Sequence, residues 1–410
     1  MISQPTFTID EVSNLLNVSI PRLQDWIRSG RLLPQAGKTK EDYVFSKEQL
    51  YTYEHIRKIF DSKWDEELNV KPKRKYTSIE LFAGAGGLAL GFEKAGVENV
   101  LLNEFDKHAC ATLRKNRPDW NVIEDSIENI SFVDYSNKVD IVTGGFPCQA
   151  FSYAGKKMGF EDTRGTLFYE FARCVKEVQP KIFVAENVKG LLTHDGGKTL
   201  ETIISTFQEL GYKVLNPRVL QAMYYNVPQK RERLIIVGIR NDYAKLSDYF
   251  TYPATYYKVP TVADAFYKGD LYSCDVPSSN TIKYSEKKES VMKLVPEGGF
   301  WKDLPLDIQR EYMGGSFYLG GGKTGLARRL SMKAPSLTIV CAPAMKQTER
   351  CHPIETRPLT IRESARIQTF PDEWQFACSD VQAYKQIGNA VPVNLAYAVA
   401  RRVVNFLNKI

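Results

Sequence analysis

Histidine and cysteine are scarce in this chain, and neither occurs at metal-ligand spacing. The 410 residues include four histidines and seven cysteines, with no Cys-x-x-Cys pair. Cys351 and His352 are adjacent, which does not match the spacing of a zinc site. The sequence therefore predicts no metal centre, and its cysteine usage is typical of reduced thiols rather than of a disulfide framework.

Long apolar runs, secretory signals and internal repeats are also missing. No uninterrupted apolar stretch is long enough to cross a bilayer, so we expect a cytoplasmic protein without a membrane partner. The length predicts two or three domains. A net charge of +7 fits a protein that contacts phosphate, although charge of this size does not by itself indicate nucleic acid.

One cysteine lies in a turn that favours chemistry over packing. Residues 144–149 read Gly-Gly-Phe-Pro-Cys-Gln and follow the apolar segment 139–142. Glycine and proline fix the backbone at this strand end, so the Cys148 thiolate can be aimed at a substrate. The alternative is that Cys148 is a core residue, which is the commoner fate of a cysteine.

Two further segments accompany the cysteine. An apolar strand at 181–185 ends in Glu186-Asn187-Val188, and residues 229–233 read Gln-Lys-Arg-Glu-Arg. In an extended segment alternate residues share a face, so Gln229, Arg231 and Arg233 are predicted to line one pocket. Lys230 and Glu232 would face away.

A glycine-rich turn predicts a cofactor loop near the start of the larger part of the chain. The predicted strand 77–82 runs into Ala-Gly-Ala-Gly-Gly-Leu and then into a helix that ends near Gly96. Glu104 follows the next strand, about 20 residues on, where an acid suits a ribose hydroxyl. The loop alone is compatible with a dinucleotide, with S-adenosylmethionine, or with close helix–strand packing only.

Taken together and in this order, these segments resemble the DNA (cytosine carbon-5) methyltransferase family from Phe82 to Pro392. The resemblance implies a Rossmann-like α/β catalytic domain that uses S-adenosylmethionine. It assigns the methionine side of the cofactor to the glycine loop, the ribose to Glu104 and the adenine to Asp125, although Ser126 could occupy the acid's position instead. The residues implied at the cofactor are Phe82, Gly84, Gly86, Gly87, Glu104, Asp125, Pro147, Asn389, Ala390 and Val391.

The family resemblance also implies the catalytic roles. Cys148 would add to carbon-6 of cytosine, and Glu186 would hold N3 and the exocyclic amine. Arg231 and Arg233 would organise the base pocket and Glu186. No residue is an obvious base for the carbon-5 proton, and a bound water is our expectation.

Contacts with double-stranded DNA are expected in two regions of the catalytic part. The polar, glycine-rich loop after Cys148 has the composition of a mobile lid, with Ser152 and Arg164 at family positions that touch phosphate. The region before Arg357 has weak periodicity and would read the DNA sequence. It contains Arg328 and Arg329, and Thr338 belongs to a short pair that the family shares there.

The first 60 residues predict a separate winged helix-turn-helix that resembles MerR and excisionase proteins. Thr8 and Ser19 can cap two short helices, and the segments 31–34 and 43–46 fit a hairpin wing. Residues 20–29 would be the recognition helix, with Arg22 and Arg28 as DNA contacts. Such helical pairs also serve as protein docking modules.

These interpretations combine into a domain plan. It comprises a winged helix-turn-helix (1–70), a basic linker (71–75), a catalytic domain (76–261, completed by 384–410), a target-recognition domain (262–354) and a supporting segment (355–383). We expect the modification enzyme of a restriction–modification system, monomeric on its target, with a possible cognate endonuclease and a helix-turn-helix that dimerises or regulates its own operon. The alternatives are an RNA cytosine methyltransferase, a DNA-binding regulator and, more remotely, a nicotinamide oxidoreductase.

Overall fold

A computed structural model describes residues 6–39, 41–147, 167–320 and 323–410. Its strands are β1 (Thr6–Thr8), β2 (Val44–Ser46), β3 (Tyr76–Leu81), β4 (Val97–Glu104), β5 (Val122–Glu124), β6 (Ile141–Gly144), β7 (Ile182–Val188), β8 (Tyr212–Val214), β9 (Arg218–Gln221) and β10 (Glu232–Arg240). Its helices are α1 (Ile9–Leu16), α2 (Ile20–Arg28), α3 (Lys47–Tyr51), α4 (Glu54–Phe60), α5 (Trp64–Leu68), α6 (Gly87–Lys94), α7 (Lys107–Asn116), α8 (Leu167–Val178), α9 (Lys198–Glu209), α10 (Val262–Phe266), α11 (Glu286–Lys293), α12 (Leu306–Met313), α13 (Ile361–Ile367), α14 (Asp380–Asn389) and α15 (Val393–Leu407).

The described residues form two compact units. The first comprises residues 1–66, 223–230 and 254–367, and the second comprises 67–222, 231–253 and 368–410. The second unit thus takes its residues from three separate stretches of the chain. The domain boundaries drawn from the sequence stay a prediction.

The second unit is built on one mixed sheet. Its strand order is β5-β4-β3-β6-β7-β10-β8, with β9 also paired to β10. The strands from β5 to β7 are parallel, whereas β10 runs antiparallel to β7. The chain winds outward from β3 in both directions, which confirms the predicted doubly wound α/β class.

Both faces of this sheet are covered by helices. One face packs an aromatic core around Phe168, Phe171, Phe183 and Phe207. On the other face α6 approaches α15 so closely that a Cβ at Gly91 would lie 2.3 Å from Ala396 Cβ. Parallel strands buried on both faces explain why they read as continuous apolar runs.

The carboxyl ends of β3 and β6 meet where the strand order reverses. In doubly wound sheets ligands bind at this switch point. The turn after β3 holds Phe82 at φ +57, which a non-glycine residue adopts only at a cost. This strain ends β3 at Leu81 and redirects the chain into the glycine loop.

The amino-terminal part of the first unit agrees with most of the helix-turn-helix prediction. Thr8 caps α1 and forms a reciprocal capping box with Glu11, as its sequence position predicts. Ser19 precedes α2, but its side chain makes no capping bond. Pro21 lies in the first turn and has no N–H to donate, which removes one of the usual cap partners.

The predicted hairpin wing is wrong in one of its two halves. Residues 31–34 are not a strand, and β2 pairs instead with β1. What remains of the wing is a single bridge between Ala36 and Val44. Pro34 cannot donate to a strand ladder, which accounts for the missing strand.

The rest of the first unit has little regular sheet. Its core gathers Met292, Val295, Trp301, Met313 and Cys351 among short helices and loops. The amino-terminal helices contact the rest of the first unit. Asn14 Nδ2 donates to the Lys333 carbonyl at 2.8 Å, and Tyr224 Oη donates to the Leu15 carbonyl at 3.2 Å. The helix-turn-helix segment is therefore part of a larger folded body.

Candidate active site

An acid and an arginine meet at the carboxyl edge of the sheet. Glu186 lies near the end of β7, and Arg233 lies at the start of the antiparallel β10. Arg233 Nε is 2.5 Å from Glu186 Oε1, and both side chains are only 11% exposed. A largely buried ion pair of this kind fixes the direction of the carboxylate.

The glycine before the predicted nucleophile makes room for this acid. A Cβ at Gly145 would lie 2.7 Å from Glu186 Oε2. Asn187 Nδ2 donates to the Phe146 carbonyl at 2.9 Å and holds the same turn. The sequence motif named Asn187 without a role, and its position directly after a strand-end acid was the available signal.

The turn is described as far as Pro147, which is exposed. Cys148, Ser152 and Arg164 lie outside the described residues. Their assignments stay predictions from the sequence.

The two arginines of the Gln-x-Arg-x-Arg segment have different partners. Arg231 is 2% exposed, and its Nη2 donates to the Gly388 carbonyl at 2.9 Å, next to Asn389 at the end of α14. Arg231 thereby supports the end of α14, whereas Arg233 orients the acid. Sequence alternation placed both arginines on one face but could not separate these tasks.

Gln229 bonds to two residues of the first unit. Its Oε1 accepts from the Ile339 N–H at 2.8 Å, and its Nε2 donates to the Ile367 carbonyl at 3.4 Å. The residue is fully buried. Because residues 229 and 336 form a bridge outside the long strand, the alternation does not extend back to Gln229.

The glycine loop forms a tight cradle at the start of α6. Gly84 and Gly86 have φ of +54 and +83, and a Cβ at Gly84 would meet no atom within 4 Å. A Cβ at Gly87 would lie 2.2 Å from the Val391 carbonyl oxygen. The first glycine thus borders open space, while Gly87 allows the loop to touch the segment between α14 and α15.

Glu104 faces this loop from the end of β4. Its Oε2 accepts from the Gly84 N–H at 2.7 Å, and its Oε1 accepts from the N–H groups of Phe105 and Asp106 at 2.9 and 2.8 Å. An ionised carboxylate has about four acceptor positions. Capacity therefore remains for one ligand hydroxyl.

Phe105 is a residue that the sequence reasoning missed. Its side chain is 78% exposed directly beside Glu104 and the glycine loop. An exposed aromatic face next to a ribose-type acid suits a flat heteroaromatic ring. The aromatic residue one position after the acid was the available signal.

Asp125 and Ser126 share one turn after β5. Asp125 is exposed, and its Oδ1 accepts from the Ser126 N–H at 2.7 Å and from Asn129 Nδ2 at 2.8 Å. This is a local turn that fixes both residues near the end of β5.

Asn389 ends α14 and is exposed, whereas Ala390 and Val391, which lead into α15, are each 8% exposed. Gln368 Nε2 donates to the Ile387 and Ala390 carbonyls at 2.6 and 3.1 Å. These bonds hold the backbone that approaches Gly87.

The predicted DNA contacts of the first unit differ in availability. Arg329 is 4% exposed, and its guanidinium donates to the carbonyls of Met292, Val295, His352 and Glu355 at 2.6 to 3.1 Å. Arg329 therefore holds four backbone carbonyls together in the core of the first unit, and it is too buried for the predicted contact with a DNA groove. Adjacent arginines in a loop need not be equally exposed.

Arg328 and Thr338 are half-buried. Arg328 lies over the Phe300 ring and donates to the Thr324 and Gly298 carbonyls. Thr338 Oγ1 donates to the Lys230 carbonyl at 3.4 Å.

In the helix-turn-helix segment, Arg22 and Arg28 are exposed on α2. Arg28 pairs with Asp25 on the same helix, with side chains 74% and 63% exposed.

Among the described residues no group of three or more potential ligands could hold a metal ion. No helix in that part of the chain has the length and apolar character needed to cross a membrane.

A doubly wound sheet with a glycine cradle at its switch point and an acid–arginine pair at the same edge defines a Rossmann-like α/β protein. Residues 76–405 match the family profile of the C-5 cytosine-specific DNA methylases, and residues 7–64 match the MerR helix-turn-helix family of regulatory proteins. The chain belongs to the C-5 cytosine-specific DNA methylase family.

Relatives agree with this membership, and a solved structure shares the fold. The chain is 58% identical over 404 residues to the Type II methyltransferase M.Eco47II of Escherichia coli, covering 98% of this chain and 96% of that protein. It is 50% identical to the Type II methyltransferase M.Sau96I of Staphylococcus aureus, covering 85% and 81%. A DNMT2 structure from Spodoptera frugiperda shares the fold with a TM-score of 0.58 and 16% identity, covering 80% and 99%.

Proposed function

We propose that this protein transfers a methyl group from S-adenosylmethionine to carbon-5 of a flipped-out cytosine in duplex DNA, through a covalent adduct at Cys148. The observation that carries the proposal is the Glu186–Arg233 pair at the edge of the glycine cradle, in a chain of this family. The domain plan from the sequence is part of the proposal.

The residues at the switch point fit the cofactor. Open space beside Gly84, spare acceptor capacity on Glu104 and the exposed Phe105 ring correspond to its methionine, ribose and adenine parts. When bound, the cofactor supplies an electrophilic methyl group. Phe82, Gly86, Gly87, Asp125 and Pro147 complete the proposed cradle, with Asn389, Ala390 and Val391 on its other wall.

The chain's own residues activate the base. Cytosine carbon-5 is a poor nucleophile until the Cys148 thiolate forms a bond to carbon-6 and pushes electron density toward carbon-5 and N3. Glu186 holds N3 and the exocyclic amine and delivers the proton that N3 takes up as the adduct forms. Arg233 keeps the carboxylate in place, and Arg231 supports the cradle.

Release of the product reverses the first bond. After carbon-5 is methylated, its remaining proton leaves to a water, the carbon-6–sulfur bond breaks to restore the thiolate, and N3 returns its proton to Glu186. Because the target face of cytosine is hidden in the duplex, the nucleotide must leave the stack, at a cost of a few kcal/mol. Ser152 and Arg164 are proposed to contact phosphate in that state.

The biological setting follows from the relatives. We propose the modification enzyme of a Type II restriction–modification system, since M.Eco47II and M.Sau96I bear that designation. A cognate endonuclease, action as a monomer in the cytoplasm, and DNA contacts by Arg328, Thr338, Arg22 and Arg28 belong to the same proposal. The MerR match supports regulation of its own operon through α2, which a promoter reporter with Arg22→Ala and Arg28→Ala would test.

The decisive experiment maps 5-methylcytosine by bisulfite sequencing after incubation with duplex DNA and labelled S-adenosylmethionine. We expect methylation at one short motif, lost in Cys148→Ser and retained in the control Cys274→Ser, which changes an exposed cysteine elsewhere. Methylation of RNA in place of DNA, or DNA binding without methyl transfer, would replace the proposal with an RNA enzyme or a regulator.

A further inference from the structure

The amino edge of the sheet in the second unit holds a cavity that the proposed catalytic cycle does not use. Its volume is about 370 Å³, at the small end of the range for ligand sites. It lies where β3, β6 and β7 begin and β10 ends, opposite the switch point. Its charged walls are Arg74, Lys75, Lys138, Asp140, Lys181 and Arg240, and we call it the amino-edge cavity.

Asp140 organises two of the five cations. Arg74 binds it through two nitrogens at 2.6 and 3.0 Å, and Lys181 Nζ lies 3.0 Å away. Burial raises the pKa of this carboxyl, but the bonds from Arg74 and Lys181 outweigh burial and leave the pKa below its ordinary value. The acid therefore stays charged and holds both cations toward the cavity.

The remaining cations are only partly neutralised. Arg240 pairs with Asp242 at 2.9 Å, and its Nη1 donates to Asn137 Oδ1. Lys75 pairs with Glu98, and its side chain is 72% exposed. Lys138 is exposed and has no carboxylate partner among the residues that the structure describes. The five cations of the wall have three acidic partners, which are Asp140, Glu98 and Asp242, so two positive charges are not neutralised.

The chemistry of the wall selects phosphate rather than a base. None of the described residues that line the cavity is aromatic, so a nucleobase would find no stacking surface. The basic linker reaches this site through Arg74 and Lys75, and its exposed Lys71 and Lys73 precede them in the chain. Several cations around one cavity, with further lysines next to them in the linker, fit a chain of phosphates better than a single phosphate ion.

From this geometry we propose that the amino-edge cavity and the linker lysines bind the phosphodiester backbone of a second DNA segment. The six residues of β3 separate this edge from the switch point by about 20 Å. A duplex held for catalysis at the carboxyl edge therefore leaves the cavity open for another segment. The protein would bridge two stretches of DNA and pass between them while it searches for a target.

A bridging assay tests this without the cofactor. One motif-free duplex is fixed to beads, and retention of a second, fluorescent duplex is measured as protein is added. We expect Lys138→Glu and Lys75→Glu to reduce retention on the order of tenfold, because each replaces an attraction by a repulsion. Lys115→Glu, an exposed α7 lysine remote from the amino-edge cavity, makes the same change in net charge and should retain the duplex.

Two results would overturn the proposal. Bridging that is absent in the wild type, or that is unchanged in the cavity variants, would exclude a DNA site there. If the wild type retains no second duplex but binds inorganic phosphate or ATP, and Lys138→Glu does not, the cavity is a site for a free phosphate. Methylation of a short duplex is measured in parallel and should be unchanged in Lys138→Glu, so failure of the proposed chemistry is distinguished from failure of this site.

Discussion

The two edges of the central sheet hold their charged residues in different ways. At the carboxyl edge one acid and one arginine form a largely buried pair beside a glycine turn, where both side chains are 11% exposed. At the amino edge several cations surround a single acid, and the side chains of four of them, Arg74, Lys75, Lys181 and Arg240, range from 18% to 72% exposed. Burial fixes the direction of the Glu186 carboxylate, which suits contact with a single nucleobase. Exposure leaves the amino-edge cations open to a flexible polyanion.

Loss of the acid's charge at the carboxyl edge should have the largest effect. Glu186→Gln keeps the shape but cannot stabilise a protonated N3, so we expect single-turnover methylation to fall about 10²- to 10⁴-fold. Thermal unfolding and duplex binding serve as controls for a correct fold. Activity within threefold of the wild type would remove Glu186 from the proposed chemistry.

The glycine cradle allows a matched pair of substitutions. In Gly87→Ala the new methyl would lie 2.2 Å from a backbone oxygen, so α6 must shift, with a stability loss of about 1–3 kcal/mol and weaker cofactor binding. In Gly84→Ala no protein atom is near, and the cost to stability is the positive φ alone, about 1 kcal/mol. Thermal unfolding without the cofactor should show the larger loss of stability in Gly87→Ala, and equal losses would contradict the close contact.

At the amino edge Asp140→Asn should affect stability but not chemistry. The pKa of Asp140 is lower in the folded chain than the unfolded value of 3.8, so its contribution is present above that pH and is lost as the pH falls through the folded pKa. We expect a loss of about 1–2 kcal/mol at neutral pH that shrinks in acid. Melting curves of both proteins across this range check the sign, and a difference that grows in acid would refute it.

The smallest effect is expected on α2. Arg28→Ala breaks only an exposed pair, so stability should change by less than about 0.5 kcal/mol. If Arg28 contacts a phosphate, the slope of the logarithm of the DNA-binding constant against the logarithm of the salt concentration should decrease in magnitude by about 1 in Arg28→Ala. Anisotropy titrations at several salt concentrations measure this slope, and an unchanged slope would remove Arg28 from the interface.

Local sequence was sufficient for several strands that end at the carboxyl edge. Apolar runs predicted β4, β6 and β7, because parallel strands buried on both faces favour apolar side chains. The Thr8 capping box and the end of α6 were also readable, since they depend on neighbours within a few residues. The ordered motifs identified the family.

Long-range contacts decided the remaining features. Arg231 and Arg233 alternate in sequence, yet one binds the Gly388 carbonyl and the other binds Glu186, because their partners come from distant stretches of the chain. Arg329 reads as a surface cation until its carbonyl partners are known. The linker lysines and arginine gain a possible ligand only where Lys181 and Arg240, far along the chain, join them around one cavity.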